Sequence, residues 1–295
     1  MIVYYAMGGG LGHLVRARAV LHTLDLEARA TLLTASPYAR DRRVVGELPV
    51  ELAPAAGAVS GREDRVAHRQ WLVDVLRRLD PEELFVDTFP LGLLGELADL
   101  AEETGLRPRL SYVGRLLRWP AYVAAVPAAV RARFDRAFIV ERLHAEHEAV
   151  LRDSCDEMVP LQPRDPPGDS CGHDTFGREL PARFWLVVHS GPPEEIVELV
   201  AYARDLQRIE SDPAPIVVAS PAPGPVGDGL IALDLHPATP LFARAARVVS
   251  ACGYNVMRQM APHFERHRFL PFPRRYDDQF TRAARRRETG GTSPT

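Results

Sequence analysis

What most limits the fold of this chain is an alternation that runs through it: short β-type apolar runs, each followed by a segment with helical spacing. Ile2 to Ala6 runs into glycines, and Leu14-Val15, Ala19-Val20-Leu21 and Leu24 then repeat at the spacing of one helix face. Further runs follow at Ala30 to Leu33, at Leu84 to Val86 ending on Asp87, at Leu110 to Val113 and at Ala137 to Val140. Helical patterns are expected at Arg65 to Leu79 and Leu91 to Glu103. Strands that alternate with helices build parallel sheets covered on both faces, because each parallel connection needs a crossover. The fold class is α/β.

Near Pro160 the pattern stops, and Gln162-Pro-Arg-Asp-Pro-Pro-Gly-Asp-Ser-Cys-Gly-His is rich in turn formers with little to bury. It restarts with Phe184 to Val188, a helix from Glu194 to Ile209, Pro215 to Ala219, Leu230 to Leu233, a helix near Leu241 to Arg244, and Val248-Val249. Tyr254 to Met260, Arg268 to Leu270 and a helix from Asp277 close the series. In a chain of 295 residues this reads as two successive α/β domains, 1–161 and 182–287, with a linker at 162–181 and a fraying tail at 288–295.

Composition removes several function classes. Hydrophobic residues at 46% and charged residues at 25% describe a folded globular chain. No apolar stretch approaches the ~18 residues of a membrane helix, and the chain opens directly on a strand, so a cytoplasmic location is expected. A balance of 36 basic against 39 acidic residues attracts no nucleic acid. All 36 basic residues are Arg, so Schiff-base lysines and the lysine of a phosphate-binding P-loop are excluded. Cys155, Cys171 and Cys252 are too scattered for a disulfide framework, and Cys171 with His173 offers two ligands where zinc needs four; that segment reads as a loop, with no metal and no cofactor.

Chemistry concentrates in three turns. Gly8-Gly9-Gly10-Leu11-Gly12-His13 lies where the first strand ends and the first helix begins, the place at which open α/β sheets bind ligands. Glycines let a ligand approach the backbone, and free N–H groups at a helix start favour an anion or a polarised oxygen. His13 stands where the dinucleotide fingerprint requires its third glycine, which argues against NAD or FAD, and a histidine there is suited to take a proton from an attacking hydroxyl. Arg16 and Arg18 read as solvent-facing. The turn His189-Ser190-Gly191-Pro192 holds the corresponding place in the second half and suits a diphosphate, although Glu194 and Glu195 at the same helix start oppose an anion. The third turn, Ala251-Cys252-Gly253-Tyr254-Asn255, carries the only Asn of the chain, which either positions a ligand or caps its own helix.

Gly8 to His13, Gly253-Tyr254-Asn255 and Tyr276-Asp277-Asp278-Gln279-Phe280-Thr281-Arg282-Ala283 together resemble the GT-B glycosyltransferases of the group that contains the N-acetylglucosaminyltransferase of peptidoglycan synthesis and monogalactosyldiacylglycerol synthase. Val86-Asp87-Thr88-Phe89-Pro90-Leu91-Gly92 with Glu96-Leu97 is similar to a bacterial subgroup. The resemblance covers both halves in order. It implies a GT-B fold, two Rossmann-like domains with parallel sheets facing across a cleft, with the acceptor held mainly by the first and a UDP-linked nucleotide-sugar by the second. It makes His13 the base or acceptor-orienting group, with Gly8, Gly9, Gly10 and Gly12 shaping its loop. Ser190 and Gly191 would face the diphosphate, Gly253, Tyr254 and Asn255 would shape the donor loop, and Asp278 and Gln279 would bond sugar hydroxyls. Asp87 orients His13, takes a proton itself, or caps the turn that follows it.

One departure stands out. The resemblance places Glu six residues after the glycine of Gly-Tyr-Asn, on the nucleotide ribose, where this chain has Gln259. Gln accepts one hydrogen bond without the charge, a difference of ~1–2 kcal/mol in donor affinity. No Asp-x-Asp occurs, which removes a metal-carboxylate device, and the resemblance implies a metal-independent, inverting hexosyltransferase acting on an acceptor hydroxyl. The rival expectations are a non-catalytic nucleotide-sugar-binding protein and a UDP-sugar epimerase. The acceptor is open, a small molecule or a lipid. Arg115, Arg118, Trp119 and Tyr122 either meet a lipid acceptor at the inner membrane face or pack their aromatics in the core beneath solvated arginines.

Overall fold

The computed structural model describes residues 1–54, 62–167, 180–221 and 229–291. Cys171 and His173 lie outside the described residues. The chain divides into two compact units, Met1–Pro166 with Arg275–Asp277, and Pro167–Arg274 with Asp278–Thr295.

The first unit runs β1 (Ile2–Tyr5), α1 (Leu11–Thr23), β2 (Ala30–Thr34), α2 (Arg42–Val45), β3 (Val50–Leu52), α3 (Arg62–Leu79), β4 (Glu83–Asp87), α4 (Leu100–Thr104), β5 (Arg109–Gly114), α5 (Trp119–Ala125), β6 (Phe134–Ile139), α6 (Ala145–Ser154) and β7 (Cys155–Pro160). Its seven strands are parallel, in the order β3-β2-β1-β4-β5-β6-β7. Both faces are buried, and the period of two sorts the side chains. Tyr4, Leu32 and Phe85 pack with Leu14 and Val20 of α1 on one face, while Tyr5, Leu33 and Val86 pack with Leu72 and Leu76 of α3 on the other.

The second unit runs β8 (Trp185–Val188), α7 (Pro193–Glu210), β9 (Ile216–Ser220), β10 (Leu230–Asp234), β11 (Arg247–Ala251), α8 (Tyr254–Gln259), β12 (His267–Leu270) and α9 (Gln279–Gly291). Its parallel order is β10-β9-β8-β11-β12. Trp185, Val187 and Val249 face Leu199 and Ala203 of α7, and Leu186 and Val248 face Phe242 and Met260. α9 extends past Glu288 to Gly291, so of the expected tail only 292–295 lie outside the described residues.

The expected helix at Leu91 to Glu103 is not formed; only Leu100–Thr104 is helical. The carboxylate of Glu96 is the reason. It accepts from the backbone N–H of Leu93 at 3.0 Å and of Leu94 at 2.7 Å, and from the Tyr5 hydroxyl at 2.7 Å. The Glu96 carboxylate folds over Gly92 (φ +80°), where a Cβ would sit 2.2 Å from its carbon. A side chain that binds its own upstream amides competes with the helix.

Candidate functional site

Order reverses in the first sheet between β1 and β4, which are neighbours with Tyr5 paired to Val86. Loops leaving the carboxyl ends of such a pair diverge and leave a crevice. The glycine loop leaves β1 there and Asp87 ends β4 there, so the topology brings together the two residues that the sequence singled out in this half.

The glycines have distinct tasks. Gly8 has φ +154°, and a Cβ on it would lie 2.3 Å from Cδ2 and 2.5 Å from Nε2 of His13; only glycine leaves room for the imidazole. Gly9 and Gly10 face open space, with nothing within 4 Å of a built Cβ. Gly10 caps α1, whose first turn carries no acid, and Gly12 lies within that turn.

His13 Nδ1 lies 2.6 Å from Asp87 Oδ2. The Asp87 side chain is fully buried, His13 is 14% exposed and Arg16 is 3% exposed. Arg16 was expected in solvent and is instead the main partner of Asp87: its Nε donates to Oδ1 at 2.8 Å and its Nη2 to Oδ2 at 2.5 Å. This bidentate fork is the strong geometry for a guanidinium and a carboxylate. Tyr4 donates to Oδ1 at 3.2 Å, Thr88 Oγ1 lies 3.2 Å from Oδ2, and Arg16 Nη2 donates to Thr88 Oγ1 at 2.8 Å. Thr88 sits at φ +68°, unusual for a β-branched residue, and such a conformation costs about 1–3 kcal/mol that the surroundings must hold. The Tyr112 hydroxyl bonded to its carbonyl and Arg115 Nε donating to its Oγ1 at 3.2 Å supply that support.

These contacts fix protonation. Burial alone would raise the Asp87 pKa, but the Arg16 guanidinium and the bonds from His13 and Arg16 hold it well below the carboxylate range. Burial lowers the His13 pKa below its ordinary value, against the opposing pull of Asp87. At neutral pH the imidazole is uncharged, its Nδ1–H donates to the carboxylate, and Nε2 keeps a free lone pair. The positive charge of the Arg16 guanidinium, its Nη2 3.1 Å from Nδ1, disfavours a second proton on the ring and lowers the His13 pKa further. Asp87 therefore orients His13 and is not itself placed to titrate near neutrality.

Arg115 was expected to be solvated and is buried. It pairs with Asp277 of the short returning segment Arg275–Asp277, while Tyr276 packs 5.6 Å from Phe89 and from Tyr122. Trp119 and Tyr122 are buried, and Arg118 is exposed. Arg16, Thr88 and Arg115 are the members of this site that sequence reasoning missed. The one available signal was spacing: Arg16 is three residues after His13 on the same helix face.

In the second sheet the order reverses between β8 and β11, where Ser250 pairs with Val188. Both turns marked in the sequence leave at that reversal. Ser190 is exposed, and a Cβ on Gly191 would lie 2.4 Å from His189 Nε2, so any other residue there would have to displace that ring. Arg274 answers the objection raised by Glu195, binding it through Nη1 to Oε1 and Nη2 to Oε2 at 2.5 Å each, while His189 Nε2 lies 2.7 Å from Oε2. Burial acts to raise the Glu195 pKa and is outweighed by Arg274, so its carboxyl is held low and its charge is matched; burial lowers that of His189. Gly253 caps α8, Tyr254 is buried, Asn255 lies in the first turn and Gln259 ends the helix.

Asp278 and Gln279 open α9. Asp278 Oδ1 accepts from Thr281 N at 3.0 Å, a helix cap. Gln279 is buried, and its Oε1 accepts from the backbone N–H of Cys252 at 3.2 Å and of Phe272 at 3.0 Å, which leaves its amide nitrogen for any ligand. Arg282 donates to the Cys252 carbonyl at 2.8 Å.

Two parallel sheets, each with its candidate residues at the reversal point, define the GT-B architecture. Compared by sequence, the chain matches no protein family and no curated protein. Compared by structure, it is similar to the glycosyltransferase VinC in complex with dTDP, with a TM-score of 0.59 and 14% identity over 98% of this chain and 85% of that one. MurG of Acinetobacter baumannii gives a TM-score of 0.54 at 12% identity over 98% and 83%. UDP-GlcNAc 2-epimerase of Neisseria meningitidis bound to UDP-GlcNAc gives 0.53 at 11% over 85% and 77%. Among the described residues no helix is long and apolar enough to cross a membrane.

Proposed function

We propose that the protein transfers a sugar from a nucleotide-sugar to an acceptor hydroxyl. The observation that carries this reading is the neutral His13 held by a buried, ionised Asp87 at the reversal point of the first sheet. In the reaction Nε2 of His13 takes the proton as the acceptor oxygen bonds to the anomeric carbon. The bond from that carbon to the diphosphate oxygen breaks, and the nucleoside diphosphate leaves with the electron pair. A single displacement inverts the anomeric centre. Asp87 keeps Nδ1–H donated to itself and stabilises the imidazolium that forms, a role of the kind worth ~10²–10⁴ in rate.

The donor is assigned to the turns at Ser190-Gly191 and Gly253 to Gln259. Backbone N–H groups at the start of α7 suit the diphosphate, and the pairing of Glu195 with Arg274 supports this reading by removing one of the two acids that opposed an anion there. UDP is the proposed nucleotide, with dTDP the alternative.

A thermal-shift panel of UDP- and dTDP-sugars identifies the donor, because a ligand that binds only the folded state raises its melting temperature. Free nucleoside diphosphate is then assayed with and without acceptor hydroxyl compounds. Release that depends on acceptor and is lost in His13→Ala supports transfer. Sugar isomerisation without release makes the protein an epimerase, and absence of any shift leaves a scaffold that does not bind nucleotide-sugars.

A further inference from the structure

The amino edge of the second sheet, opposite the donor turns, carries a cluster that the proposed reaction does not use. Arg183 lies just ahead of β8, Arg244 just ahead of β11, Arg247 opens β11, and Arg266 immediately precedes β12. Those three strands are consecutive in the sheet, so three separate chain entries deliver their arginines to one place. With Ala182 and Ala246 the four side chains line a cavity of about 270 Å³.

No carboxylate is among the lining residues. Arg183 is matched by Asp212 at 2.7 Å, and Arg247 by Glu210 at 2.7 Å, which it shares with Arg268 at 3.1 Å. Arg266 is held by the carbonyls of Ala243 at 2.7 Å and Ala245 at 3.0 Å, which orient the guanidinium without neutralising it. Arg244 is exposed, and its side chain has no hydrogen-bond or ion-pair partner among the described residues. Five arginines against two carboxylates leave an excess of three positive charges around a concave space.

We propose that this cavity binds a phosphate group. Guanidinium forks match the oxygens of phosphate in shape, and a dianion answers the excess charge where a single carboxylate does not. Size limits the ligand, because a cavity of this volume holds several waters at ~30 Å³ each but falls short of the ~300–1,000 Å³ that drug-sized ligands occupy. The group enters on a small phosphorylated compound or on the headgroup of an anionic lipid. This assignment is independent of the proposed transferase reading.

The test uses the full chain. Melting temperature is measured against inorganic phosphate at fixed ionic strength, and co-sedimentation against phosphatidylcholine vesicles with and without phosphatidic acid, for the wild type, Arg244→Glu, Arg244→Lys and Ser190→Ala. Arg244 makes no side-chain bond, so Arg244→Glu folds, which its unliganded melting temperature verifies; Arg244→Lys keeps the charge and covers the case in which it does not. A rise of about 3 °C near 10 mM phosphate is expected for the wild type and Ser190→Ala, reduced in Arg244→Lys and absent in Arg244→Glu. Binding to phosphatidic acid vesicles without a response to free phosphate assigns the headgroup, and the converse assigns a soluble ligand. Equal responses in wild type and Arg244→Glu, or no response to either probe, overturn the proposal.

Discussion

The buried pair at the heart of the first unit can be tested by a double-mutant cycle of Arg16→Met and Asp87→Leu. Asp87 is fully buried and Arg16 is 3% exposed, so each single variant strands the partner charge in a low-dielectric site. Breaking such a pair from one side costs about 3–5 kcal/mol. The double variant removes both charges and leaves neutral groups of similar bulk, so its loss should fall at least ~2 kcal/mol short of the sum, the Tyr4 and Thr88 hydroxyls each forfeiting a bond worth about 1 kcal/mol. Urea unfolding of the first unit reads these values, and pH separates charge from packing. The folded pKa of Asp87 is depressed, so its contribution is present above the unfolded carboxylate pKa near ~3.9 and is lost as pH falls toward the folded value. In Arg16→Met burial acts without the guanidinium and the folded pKa rises, so the deficit of that variant should be smaller at pH 4 than at pH 7.5. Additivity within ~0.5 kcal/mol, together with a deficit that does not change with pH, would refute the assignment of Asp87 as an ion locked by Arg16.

Four further outcomes follow from the same geometry. Under the transferase reading, Asp87→Asn should lower kcat/KM by ~10²–10⁴ and move the acid limb of its pH profile downward, since the carboxylate that pulls the His13 pKa up is gone; a limb that stays in place counts against the coupling. Gly8→Ala should displace the imidazole and destabilise the protein by ~1–3 kcal/mol, whereas Gly9→Ala, which meets nothing within 4 Å, should leave the melting temperature unchanged; calorimetry distinguishes them. Gln279→Leu strands the N–H groups of Cys252 and Phe272 and should cost ~2–5 kcal/mol in urea unfolding, with Gln279→Glu recovering part of the loss. Gln259→Glu should tighten UDP binding in titration calorimetry by roughly five- to thirtyfold, the equivalent of ~1–2 kcal/mol, if that residue faces the ribose; an unchanged affinity removes it from the donor site.

Most strands were legible as apolar runs, the edges of the second sheet, Leu230–Asp234 and His267–Leu270, included. Ile2–Tyr5, Glu83–Asp87 and Ile216–Ser220 each carry three or more consecutive apolar or aromatic residues, and those runs mark them. The two strands that escaped notice, Val50–Leu52 and Cys155–Pro160, are the edges of the first sheet. Val50–Leu52 carries Glu51 and Cys155–Pro160 carries Asp156 and Glu157, charges of the kind that discourage further pairing at an edge and that here interrupt the apolar run. At the site, His13 and Asp87 were legible because glycine spacing and a strand-ending carboxylate are local signals. Arg16 and Arg115 were not, because nothing in a local window distinguishes an arginine facing water from one facing an acid that arrives from a remote strand. In a chain whose only strong base is arginine, composition offered no contrast either.

The three turns differ in how much of their geometry is made locally. The glycine loop is shaped by its own neighbours, since Gly8 yields to the ring five residues ahead. The Gly253 turn is held from outside: Gln279 ties the N–H of Cys252 to that of Phe272, and Arg282, one helical turn on, takes the Cys252 carbonyl. Two side chains of α9 thus fix where β11 gives way to α8 and where the chain leaves β12. A Gln-x-x-Arg spacing at the end of the chain is required for that clamp whatever the ligand, and it explains why the pair sits on one face of a helix with Ala283 packed fully buried beside it. Under the transferase reading, selection of the sugar falls to groups the clamp leaves available, the amide nitrogen of Gln279 and the polar side chains of the turn it secures.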